Sequence, residues 1–347
     1  MMKSKATTSL LCIIIIAAML SPLSGCAKRG RKIAFFQYKG TDTFISEMME
    51  YMTARVPSDV AFVVHDAGNS QSVQNQQIID LIDDGYDLFV INAVDRLASR
   101  SLVERCTKEG IPVIFFNREP LEDALIGYNT FYVGPNAASQ GEKQAEMVAE
   151  LFGKEYLKAD FDKNEDGAVQ IVILKGEQGH QDAEKRTDNC VSRLKELGFN
   201  TDVLATEAAD WNRRDGYDAM RRLYTQFGDN IELVFSNNDD MALGAIDYLL
   251  GEGVFLEGRS VEEQPFVIVG VDGTYVGLEA IRDGLLYGTV NNNHIVQSEA
   301  VLTLVDYILN GKSFDDFPYE ITNNHYVYID YSDGDIITQA NMLIVPF

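Results

Sequence analysis

Residues 88–117 read LFVINAVDRLASRSLVERCTKEGIPVIFFN, and this stretch decides the fold. Its two apolar runs, Leu88–Ile91 and Val113–Phe116, are typical of strands buried in a parallel sheet. The amphipathic stretch between them, Ala98–Glu109, predicts a helix. Two parallel strands joined by a crossover helix form a βαβ unit, so this segment predicts an α/β fold.

The same alternation extends in both directions along the chain. Further strands are predicted at Ile33–Phe36, Val60–Val64, Val169–Leu174, Leu233–Phe235 and Phe266–Val271. Further helices are predicted at Thr43–Arg55, Gln74–Asp83, Ala138–Phe152, Asp182–Leu197, Asn212–Phe227 and Met241–Leu250. Repeated alternation of this kind predicts doubly wound parallel sheets, and a chain of about 320 residues usually divides into two domains.

The N-terminal residues indicate export. Two lysines within the first five residues precede the apolar run Leu10–Leu20, which is shorter than the roughly 20 residues that span a bilayer. This order is typical of a signal peptide. Leu23-Ser24-Gly25-Cys26 resembles a bacterial lipobox, so we expect residues 1–25 to be removed and Cys26 to carry a lipid that holds the protein on the outer side of the membrane. The alternative is an uncleaved membrane anchor.

The composition excludes one class of partner. Removal of residues 1–25 takes away two lysines and changes the formal net charge from −24 to −26. Such an acidic chain is repelled by nucleic acids. The four cysteines give no disulfide framework, because Cys12 and Cys26 belong to the N-terminal segment. Cys106 and Cys190 lie in predicted helices and are interpreted as small packed residues.

Polar side chains follow many of the predicted strands. They are Asp66, Asn92, Asn117, Asn237, Asn238, Asp272 and Asn291–Asn293. Asn and Asp commonly begin turns, which explains any one of them alone. In open parallel sheets, however, ligands bind beyond the carboxyl ends of the strands. The number of such residues in both halves of the chain therefore predicts a polar cleft.

The segment 162–170, DKNEDGAVQ, resembles the first part of an EF-hand calcium loop. The oxygen donors at its positions one, three, five, seven and nine are Asp162, Asn164, Asp166, the Ala168 carbonyl and Gln170. Gly167 at position six permits the sharp turn. Position twelve is Ile173 in place of glutamate, so a bidentate carboxylate must come from elsewhere. The alternative is a solvated acidic turn without metal.

A set of motifs in this order resembles the periplasmic glucose/galactose-binding proteins, over residues 33 to about 345. The motifs are Tyr38 with Asp42-Thr43-Phe44, Ile91–Asp95, Phe115–Pro120, Gly176–Glu184, Asn237–Asp239 and Gly270–Asp272. The resemblance implies the type I fold of periplasmic binding proteins, in which two doubly wound lobes are joined by a three-segment hinge. It implies a first lobe of residues 33–111 plus 292–328 and a second of residues 112–291 plus 329–347. The lobes would close on a sugar by a hinge motion.

A pyranose presents hydroxyl groups at its rim and C–H groups on its faces, so its site needs carboxylates and amides around the edge and aromatic rings above and below. The resemblance implies a sugar site formed by Tyr38, Asp42, Phe44, Asn92, His180, Asp182, Arg186, Trp211, Asn238, Asp272 and Asn292. Phe44 and Trp211 would stack on the two sugar faces. The resemblance also implies Glu232 as the missing carboxylate of a structural calcium site.

Each of these residues has an ordinary structural alternative when taken alone. Trp211 could be a core residue, His180 a surface histidine, Asp182 and Arg186 an exposed helix pair, and Asp42 and Asp272 helix caps. The resemblance favours the site as a set.

We therefore expect a monomeric, extracytoplasmic lipoprotein that captures D-galactose or D-glucose and delivers it to the membrane permease of an ABC importer. A second hypothesis is presentation of the sugar to a membrane receptor or sensor kinase. A sugar-responsive repressor would need a DNA-binding N-terminus and a basic face, which the lipobox and the net charge oppose. No Gly-x-Ser-x-Gly, Walker or His-Glu-x-x-His motif is present, so we expect no enzyme activity.

Overall fold

The computed structural model describes residues 30–127, 129–153, 162–331 and 335–342. The first elements are β1 (Arg31–Gln37), α1 (Thr43–Thr53), β2 (Val60–Asp66), α2 (Gln71–Ile82), β3 (Leu88–Ile91), α3 (Ser99–Lys108), β4 (Val113–Phe116) and β5 (Thr130–Pro135). Next come α4 (Ala137–Phe152), β6 (Val169–Lys175), α5 (Gln181–Glu196), β7 (Thr201–Ala208), α6 (Arg213–Phe227), β8 (Leu233–Ser236) and α7 (Asp239–Gly251). The last are β9 (Val267–Val271), α8 (Tyr275–Arg282), β10 (Gly288–Val290), α9 (His294–Asn310), β11 (Tyr326–Ile329) and β12 (Ile336–Thr338).

These strands form two six-stranded sheets, one in each lobe. The order of the first sheet is β11-β5-β4-β3-β1-β2, and the order of the second is β12-β10-β9-β8-β6-β7. All pairs are parallel except β10 with β12. Each sheet has one apolar core on either face, because crossover helices cover both sides. The predicted fold class is confirmed.

Three crossings connect the lobes: residue 136, residues 291–293 and the chain after β11, of which residues 330, 331 and 335 are described. The first crossing corrects the predicted boundary between residues 111 and 112, because β4 and β5 belong to the first sheet. All four residues of β4 are buried. The backbone groups of this strand find their hydrogen-bond partners by pairing with β3 on one side and with β5 on the other. The other two crossings fall within two residues of the predicted boundaries.

The predicted elements are present with small shifts at their ends. Helix α2, for example, begins at Gln71, because Ser70 caps it by accepting from the Val73 amide at 3.4 Å. Several elements gave no clear signal in the sequence. Strand β7 lies at a sheet edge with most of its residues half-buried or exposed, and β5 ends in glycine and proline.

Cys106 and Cys190 are buried without a disulfide, as expected of small packed helix residues. In the part of the chain that the structure describes, no helix has both the length and the apolarity to cross a membrane. The predicted signal peptide and Cys26 lie outside the described residues.

Helices α6 and α7 of the second lobe approach each other through glycine. A Cβ atom on Gly244 would lie 1.9 Å from the Arg213 carbonyl oxygen, and one on Gly216 would lie 2.5 Å from the Met241 carbonyl oxygen. Contacts this short cannot be relieved by rotating a side chain, because the opposing atoms are backbone. The two glycines therefore set how closely these helices pack.

We predict that Gly244→Ala lowers the free energy of unfolding by about 1–3 kcal/mol, the usual cost of overpacking. Gly251→Ala is the matched control, since it lies in the same helix and a Cβ there meets nothing within 4 Å. The control should leave stability unchanged or raise it by up to about 1 kcal/mol. Urea unfolding of both variants measures the difference, and equal stabilities would contradict this account of the helix pair.

Candidate functional site

A cavity of about 350 Å³, partly open to solvent, lies between the lobes at the carboxyl ends of the strands. Its lining residues are Tyr38, Asp42, Phe44, Ile45, Asn117, Arg118, His180, Asp182, Arg186, Trp211, Asn238, Asp272 and Asn292. Ten of the eleven residues predicted for the site are among them. The exception is Asn92. Three further residues, Ile45, Asn117 and Arg118, were not predicted for the sugar site, although Asn117 was among the strand-end residues that predicted a polar cleft.

The first lobe places Asp42 at the start of α1. One carboxylate oxygen caps the helix by accepting from the Ile45 amide at 2.9 Å, and the other accepts from the Tyr38 hydroxyl at 2.5 Å. Burial and the neighbouring Asp42 carboxylate raise the pKa of Tyr38, so its hydroxyl keeps its proton. Phe44, in the first turn of the same helix, is buried against the cavity. Asp42 is thus both a helix cap and a cavity residue.

Asn92 lies behind this wall and not at the cavity. It is fully buried, donates to the Phe116 carbonyl at 3.0 Å and accepts from the Tyr38 amide at 3.3 Å. It therefore ties the ends of β1, β3 and β4 together. Asn117, which follows β4, takes its place in the cavity because its φ of 59° turns the chain there. The signal that could have found Asn117 was its position after a strand within the Phe115–Pro120 motif.

The second lobe supplies His180, Asp182 and Arg186 from the first turns of α5. The His180 Nδ1 accepts from the Asp182 amide at 3.1 Å. Burial and the nearby guanidinium groups of Arg118 and Arg186 hold the pKa of His180 well below its usual value. The ring is therefore neutral, and its Nε2–H is left as a donor.

Arg186 is buried and fixed on two sides. Its Nε donates to Gln140 Oε1 at 2.7 Å, and one terminal nitrogen donates to the Asn237 carbonyl at 2.6 Å. The other terminal nitrogen lies 3.9 Å from Asp182. Burial raises the pKa of Asp182 to about 6, although Arg186 opposes the shift. This buried pair is not the exposed helix pair of the alternative interpretation.

Trp211 lies on a strained turn after β7. It has a φ of 64°, in the left-handed region that non-glycine residues rarely adopt. Its ring packs edge-to-face on His180 at 5.1 Å between centroids and covers Gly176, where a Cβ would come within 2.3 Å of the indole. The ring both joins the core of the second lobe and borders the cavity. The core alternative is therefore correct in part, and stacking of this ring on a sugar stays a prediction.

Asn238, Asp272 and Asn292 complete the second side of the cavity. Asn238 caps α7 and donates to the Trp211 carbonyl at 3.2 Å, which supports the strained turn. Asp272 accepts from the Asn292 side chain at 3.1 Å and has a φ of 129°. Burial raises the pKa of Asp272 well above its usual value, and Arg186 opposes the shift. The cavity thus combines buried carboxyl groups with amide and guanidinium donors.

The loop 162–170 lies in the second lobe, away from this cavity. The Glu232 carboxylate joins its two ends by accepting from the Lys163 amide at 2.7 Å and the Gln170 amide at 3.1 Å. Asp166 accepts from the Ala168 amide and the Gln170 side chain, each at 2.8 Å, and these bonds lower its pKa.

Two oxygen atoms of this loop, Asp162 Oδ1 and Gln170 Oε1, are buried without a hydrogen-bond partner. Unpartnered buried acceptors are costly, and a hard cation would satisfy both. Across the described ranges, no three His, Cys, Asp or Glu side chains are grouped to hold a metal by themselves. The expected ligand set adds side-chain amide and backbone carbonyl oxygens to the carboxylates. These oxygen donors together fit calcium, whereas the carboxylates alone are not grouped closely enough to hold a metal.

Comparison with known proteins places this chain in a family. Residues 33–313 match the periplasmic binding protein domain. The chain is 33% identical over 314 residues to the D-galactose/methyl-galactoside binding periplasmic protein of Haemophilus influenzae, covering 88% of this chain and 90% of that one. It is 25% identical over 330 residues to a putative rhizopine-binding protein of Rhizobium meliloti, covering 95% and 96%.

Among solved structures, an ABC transporter solute binding protein from Bacillus halodurans with bound myo-inositol superposes with a TM-score of 0.73 at 26% identity, covering 90% of this chain and 96% of that one. Its two-lobed architecture agrees with the two parallel sheets described above. Sequence, fold and the position of the cavity thus agree, and this chain belongs to the periplasmic binding protein family in its type I form.

Proposed function

We propose that this protein binds an aldohexopyranose, D-galactose or D-glucose, in the inter-lobe cavity and delivers it to the permease of an ABC importer. The observation that carries the proposal is the arrangement of the cavity lining. Phe44 from the first lobe and Trp211 from the second provide aromatic surfaces. Carboxyl, amide and guanidinium groups occupy the remaining wall.

This lining matches a neutral sugar. Hydroxyl groups donate to Asp42, Asp182 and Asp272 and accept from Arg186 and the amides, so each polar group keeps a partner after water leaves. An anionic ligand would instead meet three buried or half-buried carboxyl groups. A ring with apolar faces also gains from contact with Phe44 and Trp211.

The choice among sugars draws support from the relatives, whose ligands differ. The Haemophilus relative is named for D-galactose and methyl-galactoside, and the Bacillus structure holds myo-inositol, a ring of similar size that also carries hydroxyls. Both agree with a ring-shaped polyol. The higher sequence identity to the galactose-binding relative favours a hexose.

Capture without catalysis fits the relatives named above, which are binding proteins. We further propose that the mature chain is a monomer, begins at a lipidated Cys26 and works outside the cytoplasm at the membrane surface, where it meets its permease. Prolonged incubation with aryl glycosides should release no phenol.

We propose that the loop 162–170 holds a structural calcium ion, with Asp162, Asn164, Asp166, Ala168, Gln170 and Glu232 as its ligands. The unpartnered oxygens of Asp162 and Gln170 support this assignment. The ion would stabilise the strand ends at β6 and β8 that Glu232 already links.

The first prediction concerns the ligand. Calorimetric titration against a panel of monosaccharides should show binding of galactose or glucose with a Kd of about 1 µM or below, and no binding of amino acids or nucleosides. Trp211 is the only tryptophan, so its fluorescence should change on saturation. The proposal would be refuted if only compounds other than sugars gave a heat of binding and no sugar changed the Trp211 fluorescence.

The second prediction concerns Asp182. Asp182→Asn should lower sugar affinity about tenfold or more, since a hydrogen bond to a charged group contributes about 1.5–3 kcal/mol. The carboxylate accepts best when ionised and its pKa is raised to about 6, so affinity should fall as the pH drops below that value.

The Asp182→Asn variant should lose this pH step. Asp188→Asn, an exposed position on the same helix, is the control and should retain both affinity and pH profile. A wild-type pH profile in Asp182→Asn would show that Asp182 does not contact the sugar.

The third prediction concerns calcium. In chelator-treated protein, added calcium should raise the melting temperature, because the ion binds the folded state and not the unfolded one. Glu232→Gln and Asp162→Asn should each reduce this calcium-dependent shift. Glu165→Gln, an exposed residue of the same loop that is not expected to be a ligand, should keep the full shift. An unchanged melting temperature in the unmutated protein would exclude the site.

A further inference from the structure

The space between the lobes is divided into two cavities. The second one, of about 740 Å³ including its open mouth, adjoins the candidate sugar site and shares only Arg118 and His180 with it. Its apolar residues are Val94, Leu97 and Leu121 of the first lobe. None of these three lines the sugar cavity.

Arg118 is the fixed part of the wall between the two cavities. Its side chain is buried, stacks 3.6 Å above the Tyr38 ring centre and donates to the Val94 carbonyl at 2.9 Å. These contacts all lie within the first lobe. They place the guanidinium at the boundary from the first-lobe side, and its Nη2 remains directed at the second lobe.

Glu177 is the part of the wall that the second lobe supplies. Its carboxylate lies 2.9 Å from Arg118 Nη2, and its side chain is 39% exposed. Glu177 lines the second cavity and not the sugar cavity. Its influence on the sugar site therefore passes through Arg118, which it contacts across the cleft.

A second polar bridge crosses the same cavity. Gln181 of α5 accepts from Arg96 Nη2 at 2.6 Å and donates to Glu119. Contacts between the lobes thus cross the second cavity on two sides, while its mouth stays open to solvent.

We propose that the Arg118–Glu177 ion pair is a partition that sets ligand length: it confines the site to a monosaccharide and separates it from a cavity able to hold the substituent of a glycoside. The proposal rests on the proposed function, since it concerns the same site. Glu177 is a positioning and specificity-determining residue that acts through Arg118. The Glu177 side chain is 39% exposed, so water can take the place of its carboxylate beside Arg118 in a variant that lacks it.

The apolar part of the second cavity indicates which substituents would enter once the partition is removed. A flat apolar group such as phenyl would pack against Val94, Leu97 and Leu121. The hydroxyls of a second sugar ring could hydrogen-bond to the polar bridge formed by Arg96, Gln181 and Glu119. Leu97 is 69% exposed and would gain cover from such a group.

The test is calorimetric titration of the unmutated protein and of Glu177→Ala. The ligands are the preferred hexose, its α- and β-phenyl glycosides, and disaccharides in which a second ring is attached to that hexose at C1, C4 or C6. Glu177→Ala should bind the free hexose roughly two- to tenfold more weakly, because the closed form loses one contact between the lobes. For at least one extended ligand, the ratio of its affinity to the affinity for the free hexose should be about tenfold or more higher in Glu177→Ala than in the unmutated protein.

Glu184→Ala is the matched control. Glu184 belongs to the same lobe, has a side chain 40% exposed and pairs with Lys175 of that lobe at 2.6 Å. It also accepts from the Gly179 amide at 3.0 Å and lines neither cavity, so its removal disturbs the loop next to Glu177 without touching the Arg118–Glu177 ion pair. The ratio should therefore stay unchanged in this variant. Glu177→Gln, which keeps the bulk but not the charge, should shift the ratio in the same direction by less and serves if the alanine variant does not fold.

If the unmutated protein binds the hexose and the Glu177 variants show the same affinity ratio as the unmutated protein, the proposed function is unaffected and the partition proposal is wrong. An equal rise in Glu184→Ala also overturns it, since the effect would then be general loosening of the second lobe. Absence of any sugar binding by the unmutated protein removes both proposals together.

Discussion

The two lobes depend on one buried amide, the side chain of Asn292 in the second crossing segment. Its Oδ1 lies within 2.7–2.8 Å of donors from Gln140, Gln297 and Tyr331. Gln140 lies just beyond the first crossing and Tyr331 lies in the third, so all three connections meet at this amide. A fully buried polar group must keep its partners, and this requirement fixes where the chain passes between the lobes.

The same network reaches the site. Gln140 accepts from Arg186, and the Asn292 amide nitrogen donates to Asp272, so these two cavity residues are held from the hinge side. A hinge rotation that disturbed these bonds would also move the groups proposed to bind the sugar. The connection offers a physical route by which ligand and lobe position influence each other.

Burial of the cavity between the two lobes also shifts the pKa values of its carboxyl groups. Burial raises the pKa values of Asp182 and Asp272, and the Arg186 guanidinium opposes the shift for both. Across the cleft, Thr43 donates to Asp240 at 2.8 Å and Arg118 meets Glu177, which keeps the lobes together over these carboxyl groups. A neutral polyol relieves the cost of burying them, because it brings hydroxyl donors without adding charge.

The sequence by itself determined the α/β class, most elements and the polar character of the strand ends, because these follow from local periodicity and from which residues end a strand. It could not decide between Asn92 and Asn117, since both follow strands and only the backbone at Asn117, with its φ of 59°, turns that side chain into the cavity. The boundary that the resemblance implied before β4 is wrong, and the sequence could not correct it, because a buried strand carries no mark of the sheet in which it pairs. Arg118 and Glu177 are distant in sequence and belong to different lobes, so only the tertiary structure, by closing one lobe on the other, brings them together.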